Sequence, residues 1–157
     1  MKPARLLLAL IGLTVALAAC VPSYQAPQPY YETRLGFNFL IPSNWPTGRY
    51  GEREYAAVEL AQTQPLASGA IELYYIPMDA TKPPQSLFRI YQYTKSNWAT
   101  AQGTQSLDRP RLVKAGDIVY AAVLPSANPY DPTTPDGKTY ASMVLTLDQI
   151  QQSIVPR

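Results

Sequence analysis

Apolar and polar positions first alternate at Phe37-Asn38-Phe39-Leu40-Ile41, where Phe37, Phe39 and Ile41 share one face and Pro42 stops the run. A period of two predicts a strand with one buried side. Ser43 to Glu54 reads as a loop that holds Trp45, Pro46 and Gly48, then the charged set Arg49, Glu52, Arg53 and Glu54. Alternation resumes from Tyr55 to Ala61, with Val58 and Leu60 opposite Glu59. It recurs from Ala70 to Ile76, with Ile71, Leu73 and Tyr75 opposite Glu72 and Tyr74. Short links between these runs predict an antiparallel meander.

The period then lengthens. Leu87, Ile90 or Tyr91, Thr94, Trp98 and Ala101 recur at steps of three and four, which predicts an amphipathic helix over Gln85 to Ala101. Pro83 and Pro84 precede its first turn and Gly103 stands at its expected end. The helix is expected to lie across one sheet face, with Phe88, Tyr91 and Trp98 in the core. Arg111 to Val113 and Ile118 to Leu124 predict a hairpin through Ala115-Gly116-Asp117, and the second arm is apolar on both faces, as a central strand is. Pro125 to Lys138 is irregular, Thr139 to Leu147 reads as a strand, and Asp148 reads as the N-cap of a short last helix with Gln151 at its capping-box position. The order of elements is that of an α+β fold: a mainly antiparallel sheet of about five strands, one long helix packed on a face and a short C-terminal helix.

Before Leu35 the pattern is of another kind. Lys2 and Arg5 precede an apolar run from Leu6 to Ala18, the two halves of an export signal. The run is too short to span a bilayer, which takes about 20 apolar residues. It ends in Leu17-Ala18-Ala19-Cys20, and Cys20 is the only cysteine in the chain. These four residues resemble the lipobox of bacterial lipoproteins: an aliphatic residue, two small residues, then Cys. The resemblance implies cleavage between Ala19 and Cys20, a diacylglycerol on the Cys20 thiol, and an acylated new amino terminus. Two or more acyl chains are enough for stable anchoring. Val21 follows the lipidated residue where Asp would signal inner-membrane retention, so the resemblance implies the outer membrane if the host is a diderm bacterium. Residues 1–19 are thus read as a removed signal and 20–34 as the lipidated cysteine and a Pro-, Tyr- and Gln-rich tether. At ~3.1 Å per residue the tether would reach about 40 Å. Residues 35–157 are read as a single domain.

Charge and composition narrow the function. Without Lys2 and Arg5, 11 basic side chains face 11 acidic ones, and no run of like charge occurs, so a nucleic-acid partner is not expected. The chain has no histidine. With Cys20 given to lipid, no Ser-His-Asp triad, Cys-His dyad or zinc site with the usual ligands is available, and no cofactor is expected.

The run Phe39-Leu40-Ile41-Pro42-Ser43-Asn44-Trp45, the order of elements, the hairpin Gly116-Asp117-Ile118-Val119-Tyr120 and the closing segment Met143 to Ile154 are similar to the PsbP/Mog1-like group of small bacterial and plastid proteins. The resemblance covers roughly Leu35 to Val155. It implies an assembly, binding or accessory factor rather than an enzyme. The metal-binding histidines of some members have no counterpart here.

Candidate chemistry is sparse. Asn128, Asp131 and Asp136, beside Gly137, offer oxygen ligands for calcium, although such clusters mostly make turns. Met78 and Met143 are soft ligands for copper or plain core packing. Trp45 and Tyr50 in one loop and Tyr130 among prolines in another are candidate partner-binding aromatics on low-entropy backbone. Trp45 has the alternative of tucking under the sheet. Three classes of function fit these residues. The first is an accessory or structural lipoprotein docked on a cell-envelope complex. The second is a binding module for a small apolar or peptide ligand. The last is an enzyme using carboxylates such as Glu59, Glu72 or Asp79, side chains that on strands are usually just the wet face.

Overall fold

The computed structural model describes residues 28–32, 34–103 and 109–157. The stretch read as an export signal, with Ala19 and Cys20, lies outside the described residues, and among the described ones no helix is long and apolar enough to cross a membrane. Strand β1 (Gln28–Glu32) pairs antiparallel with β2 (Phe37–Ile41), from Gln28 opposite Ile41 to Glu32 opposite Phe37. The other edge of β2 takes β8 (Ile154–Pro156), so the first and last strands flank it in a three-stranded sheet. The end of the stretch read as a tether is therefore a paired strand.

The larger sheet is antiparallel and five-stranded. Its strands are β3 (Tyr50–Ala56), β4 (Gly69–Tyr75), β5 (Gln85–Thr94), β6 (Arg111–Lys114) and β7 (Ile118–Val123), in the order β3-β4-β5-β7-β6. The α+β class and the sheet of about five antiparallel strands are as the pattern predicts. The long helix is not. Residues 85–94 form β5, the middle strand, and only the short helix α2 (Lys95–Gly103) follows, its first turn capped where Thr94 Oγ1 accepts from Asn97 N at 3.1 Å. A bulge between Leu73 and Tyr74 puts Leu87 beside Phe88 in the core, and beyond it Phe88 and Ile90 face one side while Tyr91 and Tyr93 face the other. A strand buried on both faces has apolar residues at steps of three and four as well as two, so the spacing mimicked a helix.

Four other expectations shift. The charged set at Glu52, Arg53 and Glu54 lies in β3, an edge strand where charge blunts unwanted pairing. The chain from Ala57 to Leu60 is helix α1, whose Glu59 carboxylate accepts from the Ala56 amide at 2.7 Å. The strand expected at Thr139 to Leu147 is instead helix α3 (Pro135–Met143), with Thr134 as N-cap and Pro135 in its first turn. Asp136, Gly137, Tyr140 and Met143 are buried together because they fall on one helical face. The cap of helix α4 (Leu147–Ser153) lies two residues before the expected Asp148: Thr146 caps it, and the Gln149 side chain accepts from the Thr146 amide at 2.8 Å.

The elements stack in layers. One face of the large sheet, with Ile71, Leu73, Phe88, Ile90, Tyr120 and Ala122, packs on Phe37, Phe39 and Ile41 of the small sheet and on Tyr140, Met143 and Ile150 of α3 and α4. The opposite face carries a smaller core of Ala70, Tyr91, Tyr93, Val119 and Ala121, covered by Leu60 of α1 and the half-buried Trp98 of α2.

Candidate functional site

Helices α1 and α2 cover only one end of that second face. The remaining part presents Arg53 and Tyr55 from β3, Glu72 and Tyr74 from β4, and Ser86 and Arg89 from β5, with the buried Tyr91 at its margin. Strand register explains the gathering, since Arg53 stands opposite Glu72 and Glu72 opposite Arg89. Glu72 and Arg89 are the lone charges in two apolar strands, and pairing brings them side by side.

The Arg89 guanidinium lies 3.0 Å from Glu72 Oε1 through Nη2 and donates from Nη1 to Tyr91 Oη at 3.1 Å. Tyr55 Oη donates to Glu72 Oε2 at 2.6 Å, and the Arg89 cation sits 4.7 Å from the Tyr55 ring centroid. Arg53 lies over the same ring at 4.8 Å, on the solvent side. Burial pushes the Glu72 carboxyl up, but hydrogen bonds from Tyr55 and Ser86 and the charge of Arg89 outweigh it and hold it below its ordinary value. Burial, then the hydrogen bond to Glu72, raises the Tyr55 phenol. The cluster is thus a fixed ion pair clamped by two tyrosines. One donor is left over: Arg89 Nε is buried without an acceptor among the described residues.

Tyr74 completes the surface. Its ring lies over Gly51, where a Cβ would stand 2.6 Å from Tyr74 Cζ and would push the ring aside. A groove lined by Glu52, Arg53, Glu72, Tyr74, Pro84 and Ser86 has a volume of about 390 Å³. Across Ser86 a second groove, about 640 Å³, runs from Arg89 and Tyr91 to Arg109, Arg111 and the end of β7.

The residues nominated from sequence fall elsewhere. Tyr130, expected on an open loop, is only 7% exposed: its ring packs edge-on against Tyr75 and Tyr140, and its hydroxyl donates to Pro83 O at 2.9 Å. Prolines around it serve to hold a core residue, not to present a docking one. Trp45 is buried against Phe88 and Tyr50, the alternative left open for it, and Tyr50 is half-buried at the start of β3.

The calcium candidates are occupied by the chain itself. Asp136 accepts from Met78 N at 2.6 Å, Tyr75 Oη at 2.7 Å and Asp79 N at 3.3 Å. The Met78 amide is the largest influence, and with the Tyr75 and Asp79 bonds it holds the carboxyl below its ordinary value against burial. Asn128 bridges Gly137 O and Tyr130 N, and Asp131 accepts from Thr133. Among the described residues no group of three or more His, Cys, Asp or Glu side chains is placed to hold a metal. Met143 is buried in the core and Met78 is exposed. Of the carboxylates, Glu59 caps α1, Asp79 turns back on Thr81, and Glu72 alone belongs to the cluster.

Sequence reasoning thus found Glu72 but missed Arg89, Tyr55, Tyr91, Arg109 and Arg111. The signal available was a single charge in each of two apolar runs, Glu72 and Arg89, which is legible only once both runs are read as strands. No family model, curated protein or solved structure matches the chain.

Proposed function

We propose that this chain is a lipid-anchored accessory protein of the bacterial cell envelope. In this reading its domain does no chemistry and docks a protein partner through the open half of the large sheet. The lipobox resemblance at Leu17-Ala18-Ala19-Cys20 supports the anchor, with the outer membrane as its site in a diderm host, and the likeness to the PsbP/Mog1-like group supports an accessory role. The observation that carries the docking is the rigid set of Arg53, Tyr55, Tyr74 and Arg89 on an uncovered sheet face. Arginine and tyrosine are the residue types that dominate interface energies, and these are already held in place by ring stacking, a glycine contact and an ion pair, so little entropy is lost on docking. Each carboxylate nominated for catalysis already has a structural hydrogen-bond partner, which supports the non-catalytic reading.

The test is co-purification from membranes in mild detergent. The wild-type chain should bring down a stoichiometric protein, and the Arg53→Ala/Tyr74→Ala variant should recover it about tenfold less efficiently. A bound small molecule in place of a protein would favour the ligand-binding alternative and sink the docking role. Cys20→Ser should move the chain out of the membrane fraction; unchanged fractionation would refute the anchor.

A further inference from the structure

We propose that the groove bounded by Arg89, Arg109 and Arg111 receives an acidic peptide segment of a protein partner, an inference that rests on the docking role above and specifies its chemistry. Three guanidinium groups line this groove of about 640 Å³, and among the described residues no carboxylate does. In a chain whose acidic and basic residues balance once the signal is set aside, that is a local concentration of one sign. Arg89 is neutralised by Glu72 at 3.0 Å, whereas Arg109 and Arg111 are exposed and have no acidic partner among the described residues. Guanidinium forks match carboxylates with two parallel hydrogen bonds, and the Ser126 hydroxyl adds a neutral donor beside them.

The shape selects a peptide over a compact anion. Val123, Leu124 and Pro125 give the basic groove an apolar wall, and beyond Ser86 the surface continues into the groove of Glu52, Arg53, Glu72 and Tyr74. An extended chain can set a carboxylate on Arg109 and Arg111, rest an apolar neighbour on Val123 and Leu124, and run on past Tyr74. A lipid phosphate offers similar oxygens, but the layer order disfavours it. The anchor precedes β1 in the small sheet, while Arg89, Tyr91 and Val123 set one wall of the groove on the face of the large sheet away from that layer and Arg111 closes it from the edge strand β6.

The experiment uses the full chain in non-ionic detergent and a short fluorescein-labelled peptide of alternating Glu and Leu, read by fluorescence anisotropy. The wild-type chain should bind it, more weakly as salt rises, and should ignore the same peptide with Lys in place of Glu. Arg109→Ser/Arg111→Ser should weaken binding about tenfold at an unchanged urea midpoint. Lys114→Ser, on the same strand but outside the groove, should leave it within about twofold. Equal binding by the double variant and wild type, or no binding at millimolar peptide, overturns the site. Displacement of the peptide by phosphatidylglycerol vesicles, or by inorganic phosphate, assigns the groove to a phosphate ligand and overturns the peptide. Co-purification separates this from the docking role. If wild-type membranes yield no partner while the peptide still binds at Arg109 and Arg111, the docking role fails and the groove stands. Undiminished partner recovery by the double variant leaves docking intact and removes this groove from it.

Discussion

Glu72 is the residue on which the open sheet face turns, because it holds Tyr55 and Arg89 at once. Its side chain is 12% exposed and that of Arg89 24%, so the pair is screened less than a surface ion pair but is not sealed off. Replacing Glu72 by Gln keeps the shape and removes the charge, and should cost about 1–2 kcal/mol at neutral pH. The sign with pH follows from the lowered carboxyl. The unfolded chain takes up the Glu72 proton at a higher pH than the folded one, so this stabilisation is complete above the ordinary Glu range and disappears as pH falls through the folded value. Urea midpoints should therefore show a gap between wild type and Glu72→Gln at pH 7 that narrows as pH drops from about 5 towards 3. A gap independent of pH would mean that the carboxylate charge plays no part. Which residues carried isolated charge was legible in the sequence. Which of them met was not, since that depends on the register of Glu72 opposite Arg89 and hence on the correct reading of residues 85–94.

At the scale of elements, the segment from Asn128 to Met143 gives the clearest physical lesson. Its prolines signalled irregular chain, and irregular chain suggested exposure, yet Tyr130 closes a three-ring cluster with Tyr75 and Tyr140 at centroid distances of 5.6 to 5.9 Å. The hydroxyls of Tyr130 and Tyr140 hold Pro83 O and Ser86 O, and Asp136 holds the amides of Met78 and Asp79. Helix α3 thereby latches the chain between β4 and β5 in place. Burial raises the Tyr140 phenol to about 12, and burial with the Asp136 contact raises Tyr75 to about 12, so both stay neutral donors. Tyr130→Ala should destabilise the domain by about 3 kcal/mol or more, and Tyr130→Phe, which loses only the bond to Pro83, by about 1 kcal/mol. Thermal melts of both variants decide it: an unshifted Tyr130→Ala melt would return this tyrosine to the surface. Periodicity located β2 and β4 because each has a clear inward set, and β7 because a short apolar run between Gly116-Asp117 and Pro125 has no room for a helix. It misplaced β5 and α3 because one is buried on both faces and the other begins at a proline that serves as the first helical residue.

The whole molecule is organised by where its amino-terminal strand enters. From Cys20 to Gln28 the chain can span at most about 27 Å fully extended, less than the tether expected from residues 21–33, because β1 takes up the last part of that stretch. Pairing of β1 with β2 does two things: it completes the small sheet that backs Phe37, Phe39 and Ile41, and it fixes the layer from which the proposed anchor would depart. The groove at Arg53, Glu72 and Tyr74 then lies on the opposite side of the large sheet, and the groove at Arg89 and Arg111 runs from that side to the sheet edge. The domain would present its charged, aromatic face outward from the lipid while staying close enough to the membrane for a high effective concentration against a partner in the same plane. This makes the boundary of the folded unit testable by truncation. Removal of residues up to Ala26 leaves every β1–β2 pair intact and should not change the melting temperature. Removal up to Glu32 strips five residues of pairing from β2, uncovers an edge of the small sheet and should lower the melting temperature by about 5 °C or more. Equal melting temperatures for the two truncations would show that β1 contributes nothing to the domain. In that case the tether runs to Leu35, the domain regains the longer reach, and the fixed outward orientation of the grooves no longer follows.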